Sequence, residues 1–254
     1  MRVDILTLFP PMFEGPLTES ILSRARQRGL LNLKVHDIRD YTRDKHRQAD
    51  DSSYGGGPGM VMKPEPIYGA IENIIQEQEA ISPTESRIIL MCPSGEKLSQ
   101  KKAIELSASD HLIIICGHYE GIDERVRENL VTDEISIGDY VLTGGELPAM
   151  VLVDTVARLI PGVVGDDESI IHESFYEGLL DFPHYTRPEE FKGEKVPKVL
   201  ISGNHEEVGK WRRKESLKRT LYRRPDLLAK AKMTDEDKRL LEEIICEKGA
   251  KEKK

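Results

Sequence analysis

The 254-residue chain has little cysteine, few aromatic residues and no long apolar run, and each shortage excludes a class of protein. Its three cysteines, Cys92, Cys116 and Cys246, form no CxxC pair and no metal-type spacing, which excludes a disulfide scaffold and a zinc ribbon. Cys92 and Cys116 each close a short apolar run, so buried structural thiols are expected. The run Leu112 to Cys116 is far shorter than the roughly 18 residues that span a bilayer, and Asp4 and Pro10 interrupt the amino-terminal segment before it resembles a signal peptide. A soluble, cytoplasmic protein without a membrane role is expected. No Gly-Lys-Ser/Thr leads a helix, which removes the P-loop, and no GxGxxG follows the first strand, which removes the Rossmann dinucleotide fingerprint. With 45 acidic against 37 basic residues, net charge −8, the surface as a whole is not built to coat nucleic acid, and no DNA partner is expected.

What is present is an alternation of short β-rich runs with helical stretches over residues 1 to about 160, the pattern of an α/β domain on a mainly parallel sheet. VDILTL, NLKVHDI, RIILMC, HLIIIC and DEISI read as strands. TESILSRARQRG, opening on Thr18 and closing on Gly29, PIYGAIENIIQEQ, SQKKAIELSAS and a segment beginning near Glu146 read as helices. Residues 161–180 shift to glycines and acids without a period and read as a linker; residues 181–254 read as a small helical domain. In that domain Asn204, three residues before Glu207, and Thr234, before DEDKRLLEEIICEK, are candidate caps. The polar stretch 41–59, ending in GGGPG, reads equally as a flexible connection or a functional lid.

Three loops follow successive strands: Pro93-Ser94-Gly95, Gly117 to Gly121, and Gly138 to Gly145. In an open α/β sheet such loops lie at the carboxyl ends of strands, where ligands bind, and glycines let a ligand approach the backbone. Any one of them is an ordinary turn; three together point to a pocket. Residues 209–225, GKWRRKESLKRTLYRRP, carry eight Lys or Arg against one Glu, a local basic patch on an acidic protein. Lys210, Arg212, Arg213, Lys214, Lys218 and Arg219 are its candidate RNA-backbone contacts, while Trp211, sharing a helical face with Val208, is expected to pack inward.

The segments CGHYEGIDERV, EISIGDYVLTGGELPAMVLVDTVARLIPGV, SFYEGLLDFPHYTRPEE and VPKVLISGNHEEVGKWR, in that order, resemble the bacterial tRNA (guanine-N(1))-methyltransferases, the TrmD family. The resemblance runs over nearly the whole chain, from MRVDILTLFP through GGGPGM. It implies a SPOUT-type domain, a mainly parallel sheet with a deep trefoil knot, over residues 1–160, a linker over 161–180, and a helical tRNA-binding domain over 181–254. It also implies S-adenosylmethionine held at a homodimer interface, with each active site using both subunits, and tRNA as substrate, methylated at the guanosine directly 3′ of the anticodon (position 37) and preceded by another guanosine. Transferred residue by residue, it assigns the cofactor to Pro93, Gly117, Tyr119, Glu120, Ile137, Gly138, Asp139, Tyr140, Val141, Leu142, Gly144 and Gly145.

Methylating guanine N(1) removes a proton and loads charge onto O6, so a base and a cation are required. The resemblance assigns the cation to Arg158, a residue type that stays charged and offers several donors, and the base to the carboxylate before SF, here Glu173; Ser174 follows it as an RNA contact. Most relatives carry aspartate at that position. The longer side chain preserves the carboxylate, although about an ångström of misplacement costs on the order of a hundredfold in rate. An irregular linker is expected to absorb the extra length. The family's Mg²⁺ dependence is implied too, but no spacing identifies ligands and none is assigned. Two other readings stay open: a SPOUT enzyme acting on another RNA nucleoside, and a non-catalytic tRNA-binding module.

Overall fold

A computed structural model describes residues 1–79, 85–165 and 173–251, which divide into two compact units, Met1–Gly165 and Asp166–Lys254. The first unit is built on β1 (Arg2–Thr7), β2 (Asn32–Asp37), β5 (Ser86–Lys97), β6 (His111–Cys116) and β7 (Asp133–Ser136), with a hairpin of β3 (Asp50–Ser52) and β4 (Met60–Met62) between β2 and β5. All pairings in the five-stranded sheet are parallel, in the order β2-β1-β6-β5-β7. These are the five strands read from the sequence. They are legible because a parallel sheet buried on both faces needs nearly continuous apolar runs.

Alternate residues feed two cores, one on each face. Val3, Ile5, Ile89, Met91, Leu112 and Ile114 join one core, where they meet α1 (Ser20–Gln27), α3 (Gln100–Ser107) and α5 (Glu146–Ala157). Leu6, Ile88, Leu90, Ile113 and Ile115 join the other, against α2 (Pro64–Glu79) and α4 (Glu124–Leu130). Ser99 caps α3 by accepting from the Lys102 amide. Thr18 does not cap α1. The helix begins at Ser20 after Glu19, and the Thr18 hydroxyl instead closes a turn with Gly15. β5 also runs past the expected end of its apolar run: Cys92 to Gly95 bulge out of register, and the strand resumes pairing at Glu96 with Ile135.

Asp4, fully buried on β1, accepts from Arg2 at 2.5 Å and lies 2.8 Å from His111 Nε2 and 2.7 Å from His36 Nε2. Burial alone would raise its carboxyl; the hydrogen bonds from His111, His36 and Arg2 outweigh burial and hold it well below the usual carboxylate range. Ser86 and Tyr41 complete the chain through the other nitrogens of the two histidines, so side chains of four adjacent strands are tied together.

Of the stretch expected as a linker, Val163 is buried in the first unit's core and Leu179 in that of the second; residues 166–172 lie outside the described residues. The second unit carries a hairpin of β8 (Glu190–Phe191) and β9 (Glu194–Lys195), then α6 (His205–Arg223), a short α7 (Pro225–Leu228) and α8 (Asp235–Lys251). Leu179, Leu217 and Ile244 form its core. Asn204 caps α6 through the Glu207 amide, and at α8 Thr234 and Asp237 exchange amide-to-side-chain bonds of 3.1 and 2.9 Å. Both starts follow from the capping residues in the sequence.

Candidate active site

The carboxyl ends of β5, β6 and β7 lie side by side, Met91 level with both Cys116 and Ile135, and the three glycine loops that follow them enclose a cavity of about 460 Å³. Pro93, Gly117, Tyr119, Glu120, Ile137, Gly138, Tyr140, Val141, Leu142, Gly144 and Gly145 all line it. Asp139 does not; it is exposed and pairs with Lys97 at 2.7 Å.

The glycines are required by crowding of chain against chain. A Cβ on Gly145 would stand 2.7 Å from Cys116 Cα and 2.8 Å from Gly117 N, and one on Gly95 would collide with the backbone of Glu134 and Ile135. Gly145 N also donates to Gly117 O at 2.9 Å, so the third loop is fastened to the second. Gly144 leaves room for a buried contact behind the wall. Glu146, 1% exposed at the first turn of α5, accepts from the Thr7 hydroxyl at 2.7 Å and lies 3.1 Å from His118 Nε2.

Leu142, Ile135, Ile137 and Pro148 make an apolar wall suited to a flat aromatic ring, and Glu120, Ser94 and Arg127 are its polar points. Nothing local in the sequence marks Arg127 as a site residue. It reaches from α4 to donate to Glu134 at 2.8 Å and to Ser94 at 3.0 Å, contacts between residues distant in the chain that no local pattern announces. Cys92 also lines the cavity, half-buried, with Sγ 3.1 Å from Glu134; burial and that carboxylate push its thiol up despite an opposing bond from Ser94, so it is a poor nucleophile. Cys116 is buried as expected, whereas Cys246 is exposed on α8.

The stretch 41–59 is more than a connection. Ala49 is buried in a core, Lys63 N donates to Ala49 O at 2.8 Å, and β4 bonds to the second loop through Met62 N to Gly121 O at 2.9 Å and Glu120 N to Met60 O at 3.0 Å. Gly59 takes φ +91°, a conformation that favours glycine, and a Cβ there would meet the Glu120 side chain. Tyr54, between the hairpin strands, is fully exposed.

Arg158 caps the carboxyl end of α5, half-buried, and is not among the cavity-lining residues. Glu173 belongs to the second unit, where it helps line a cavity of about 400 Å³. From Glu173 onward the chain is not an irregular linker but a closed loop: Tyr176 N donates to Glu173 O at 3.3 Å, Phe175 N to Leu179 O at 2.7 Å and Asp181 N to Ser174 Oγ at 2.9 Å. The backbone of Glu173 is therefore anchored on its carboxyl side.

The basic helix α6 is extensively paired within its own unit. Lys210 pairs with Glu206 at 2.7 Å, Arg213 with Asp237 and Glu177, Lys214 with Glu243 and Glu247, and Lys218 with Glu215, while Arg219 donates to Asp181 O at 3.2 Å. Arg212 is exposed and lies over the Phe182 ring at 4.9 Å. Trp211 is half-buried beside Tyr185, ring centroids 6.3 Å apart. Among the described residues no group of three or more His, Cys, Asp or Glu side chains could hold a metal ion, and no helix is long and apolar enough to cross a membrane.

A parallel α/β sheet whose strand ends open on a glycine-walled, largely apolar cavity defines a ligand-binding enzyme of the open α/β class. Residues 1–230 match the family model described as tRNA (Guanine-1)-methyltransferase TrmD, and the chain belongs to this family. It is 56% identical over 246 residues to the tRNA (guanine-N(1)-)-methyltransferase of Pelotomaculum thermopropionicum, covering 97% of each chain. It is 57% identical to the protein of the same name from Dictyoglomus turgidum, covering 96% of each, and 56% identical to that of Bacillus cereus, covering 96% of this chain and 98% of the relative.

Proposed function

We propose that this protein methylates N(1) of guanosine 37 in tRNA, the nucleoside directly 3′ of the anticodon and preceded by guanosine, acting in the cytoplasm as a homodimer. The observation that carries the reading is the glycine-walled cavity in a chain of this family. Eleven of the twelve residues assigned to S-adenosylmethionine line it, and its glycine backbone with the wall of Leu142, Ile135, Ile137 and Pro148 suits a ligand held by backbone and apolar contact. The bound cofactor supplies a methyl group on a positively charged sulfur. The tight passage of Gly95 past Glu134 and of Gly145 past Cys116 supports a deep trefoil knot of the SPOUT class, in which chain threads through chain with no space for side chains.

The chain's own groups then have distinct tasks. Leu142 and the isoleucines exclude water from the cavity, and the fastened second and third loops keep its wall fixed before any ligand arrives. The Glu173 carboxylate takes the guanine N(1) proton while the Arg158 guanidinium steadies the charge that grows on O6. Arg158, at the carboxyl end of α5, is not among the residues that line the cavity of its own chain, and in this reading it serves the pocket of the partner subunit. Exposed Leu147 and Val151, one turn apart on α5, with exposed Tyr140 and Val141 before it, supply the apolar surface for that pairing. Mg²⁺ remains part of the proposed activity, although the described residues form no cluster of three or more His, Cys, Asp or Glu side chains for it.

The test is labelled-methyl transfer to tRNA by Glu173→Gln and Glu173→Asp. The Gln variant is expected to lose about a hundredfold or more in kcat with cofactor binding unchanged by calorimetry, and the Asp variant to stay active. Full activity in the Gln variant would remove the base assignment.

A further inference from the structure

The cavity in the second unit combines features that phosphate binding does not explain. Its floor is Leu179 and Leu180, its rim includes Glu173 and Glu177, and one wall is the Phe182 ring with the Arg212 guanidinium laid over it at 4.9 Å. His184 packs on the same ring at 4.7 Å and bonds to Asp181 at 2.7 Å, while Arg219 donates to Asp181 O, so the ring is held in place before anything binds. Lys210, Arg213, Lys214 and Lys218 of α6 are each paired with a carboxylate. Arg212 is instead exposed, with its guanidinium carbon 4.9 Å from the centroid of an aromatic ring.

We propose that this cavity takes an unpaired nucleobase of the RNA, stacked on the outer plane of the Arg212 guanidinium, with Phe182 backing that plane from behind. Guanidinium planes and aromatic rings are the surfaces on which proteins stack splayed-out RNA bases. The acidic rim disfavours a phosphate and suits the N–H donors on a base edge. The inference rests on the tRNA-modifying reading and deepens it. Arg212 becomes a base contact, where the charge run alone suggested a backbone clamp.

The test measures tRNA affinity over a series of salt concentrations for the full-length wild type and for Arg212→Lys, Arg212→Ala and Phe182→Leu. In parallel, tRNAs with 2-aminopurine at single unpaired anticodon-loop positions report stacking by fluorescence. Arg212→Lys keeps the charge and removes the plane, so it is expected to weaken binding roughly 5- to 100-fold, as is Phe182→Leu. The slope of log affinity against log salt should stay unchanged in both, and at least one 2-aminopurine position should be quenched by the wild type and not by Arg212→Lys. If Arg212→Lys binds like the wild type while Arg212→Ala loses about 0.7–0.9 in slope, Arg212 is a phosphate contact and the proposal is overturned. Should Phe182→Leu unfold, Arg212→Lys, an exchange at an exposed position, decides alone. A wild type that binds and methylates tRNA with both variants unaffected refutes only the stacking site. A wild type that neither binds nor methylates tRNA refutes the parent reading, and the stacking site with it.

Discussion

Gly145→Ala is the sharpest perturbation of the cavity wall. The glycine has φ −82° and ψ −4°, which alanine adopts freely, so backbone strain contributes nothing and the unfolded chain loses entropy, a gain of about 0.4–1 kcal/mol. Against it stands the new methyl group, 2.7 Å from Cys116 Cα, 2.8 Å from Gly117 N and 3.1 Å from Cys116 C. All three are backbone atoms at the end of a central, fully buried strand, and none can rotate aside. Overpacking of this kind costs about 1–3 kcal/mol, and alanine is also a poorer helix N-cap than glycine, so the net effect is destabilising by roughly 1–3 kcal/mol. For a unit of this size that is about 2–4 °C per kcal/mol, or roughly 2–12 °C. Relief requires the third loop to move a few tenths of an ångström away from the second. If about an ångström costs a hundredfold, that shift costs methyl transfer on the order of tenfold. The assay is thermal unfolding by circular dichroism, with the fluorescence of the single tryptophan, Trp211, reporting the second unit separately. A melting temperature within about a degree of wild type, with undiminished transfer, would refute the claim that glycine is required where the two loops cross.

Two further expectations concern the second unit. Asp237, 2% exposed, is held at about 2 by its hydrogen bonds from Arg213, which together with Thr234 outweigh burial. A carboxylate depressed in the folded state stabilises fully above its ordinary value near 3.8 and loses that contribution as pH falls toward about 2. Nearly two units at ~1.4 kcal/mol each give about 2 kcal/mol. Asp237→Asn should lower the stability followed at Trp211 by about that amount at neutral pH and flatten its fall between pH 4 and 2; an identical acid profile in the variant would contradict the assignment. Gly209, inside α6, has nothing within 4 Å of where a Cβ would stand, so Gly209→Ala should stabilise the unit by about 0.5–1 kcal/mol in the same assay, and any loss of stability would show an unrecognised contact.

The parallel strands, most of the helices and the three glycine loops are legible in the sequence because their signals are local: apolar runs, Ser99, Asn204 and Thr234 as caps, and glycines directly after strands. What escaped is set by contacts distant in sequence. The short polar β3, DDS, has no apolar pattern and forms only because β4 pairs with it and the Gly117–Gly121 loop anchors β4. Helix α4 offers one buried apolar residue, Val126, and Arg127 gains its place in the cavity only through Ser94 and Glu134. The same limit applies to charge. Eight cations with one acid look like a free basic face until α8 supplies Asp237, Glu243 and Glu247 from 24 to 33 residues away. Glu173 looked like part of a loose linker because the bonds that close its loop come from Leu179 and Asp181, beyond any helical or strand period.

The central claim is tested most directly by transferring labelled methyl from S-adenosylmethionine to a tRNA transcript with guanosines at positions 36 and 37, with Mg²⁺ present, and mapping the product by mass spectrometry. The account predicts a single methyl on N(1) of guanosine 37. A methyl on any other nucleoside, or no transfer while the RNA binds tightly, would contradict it.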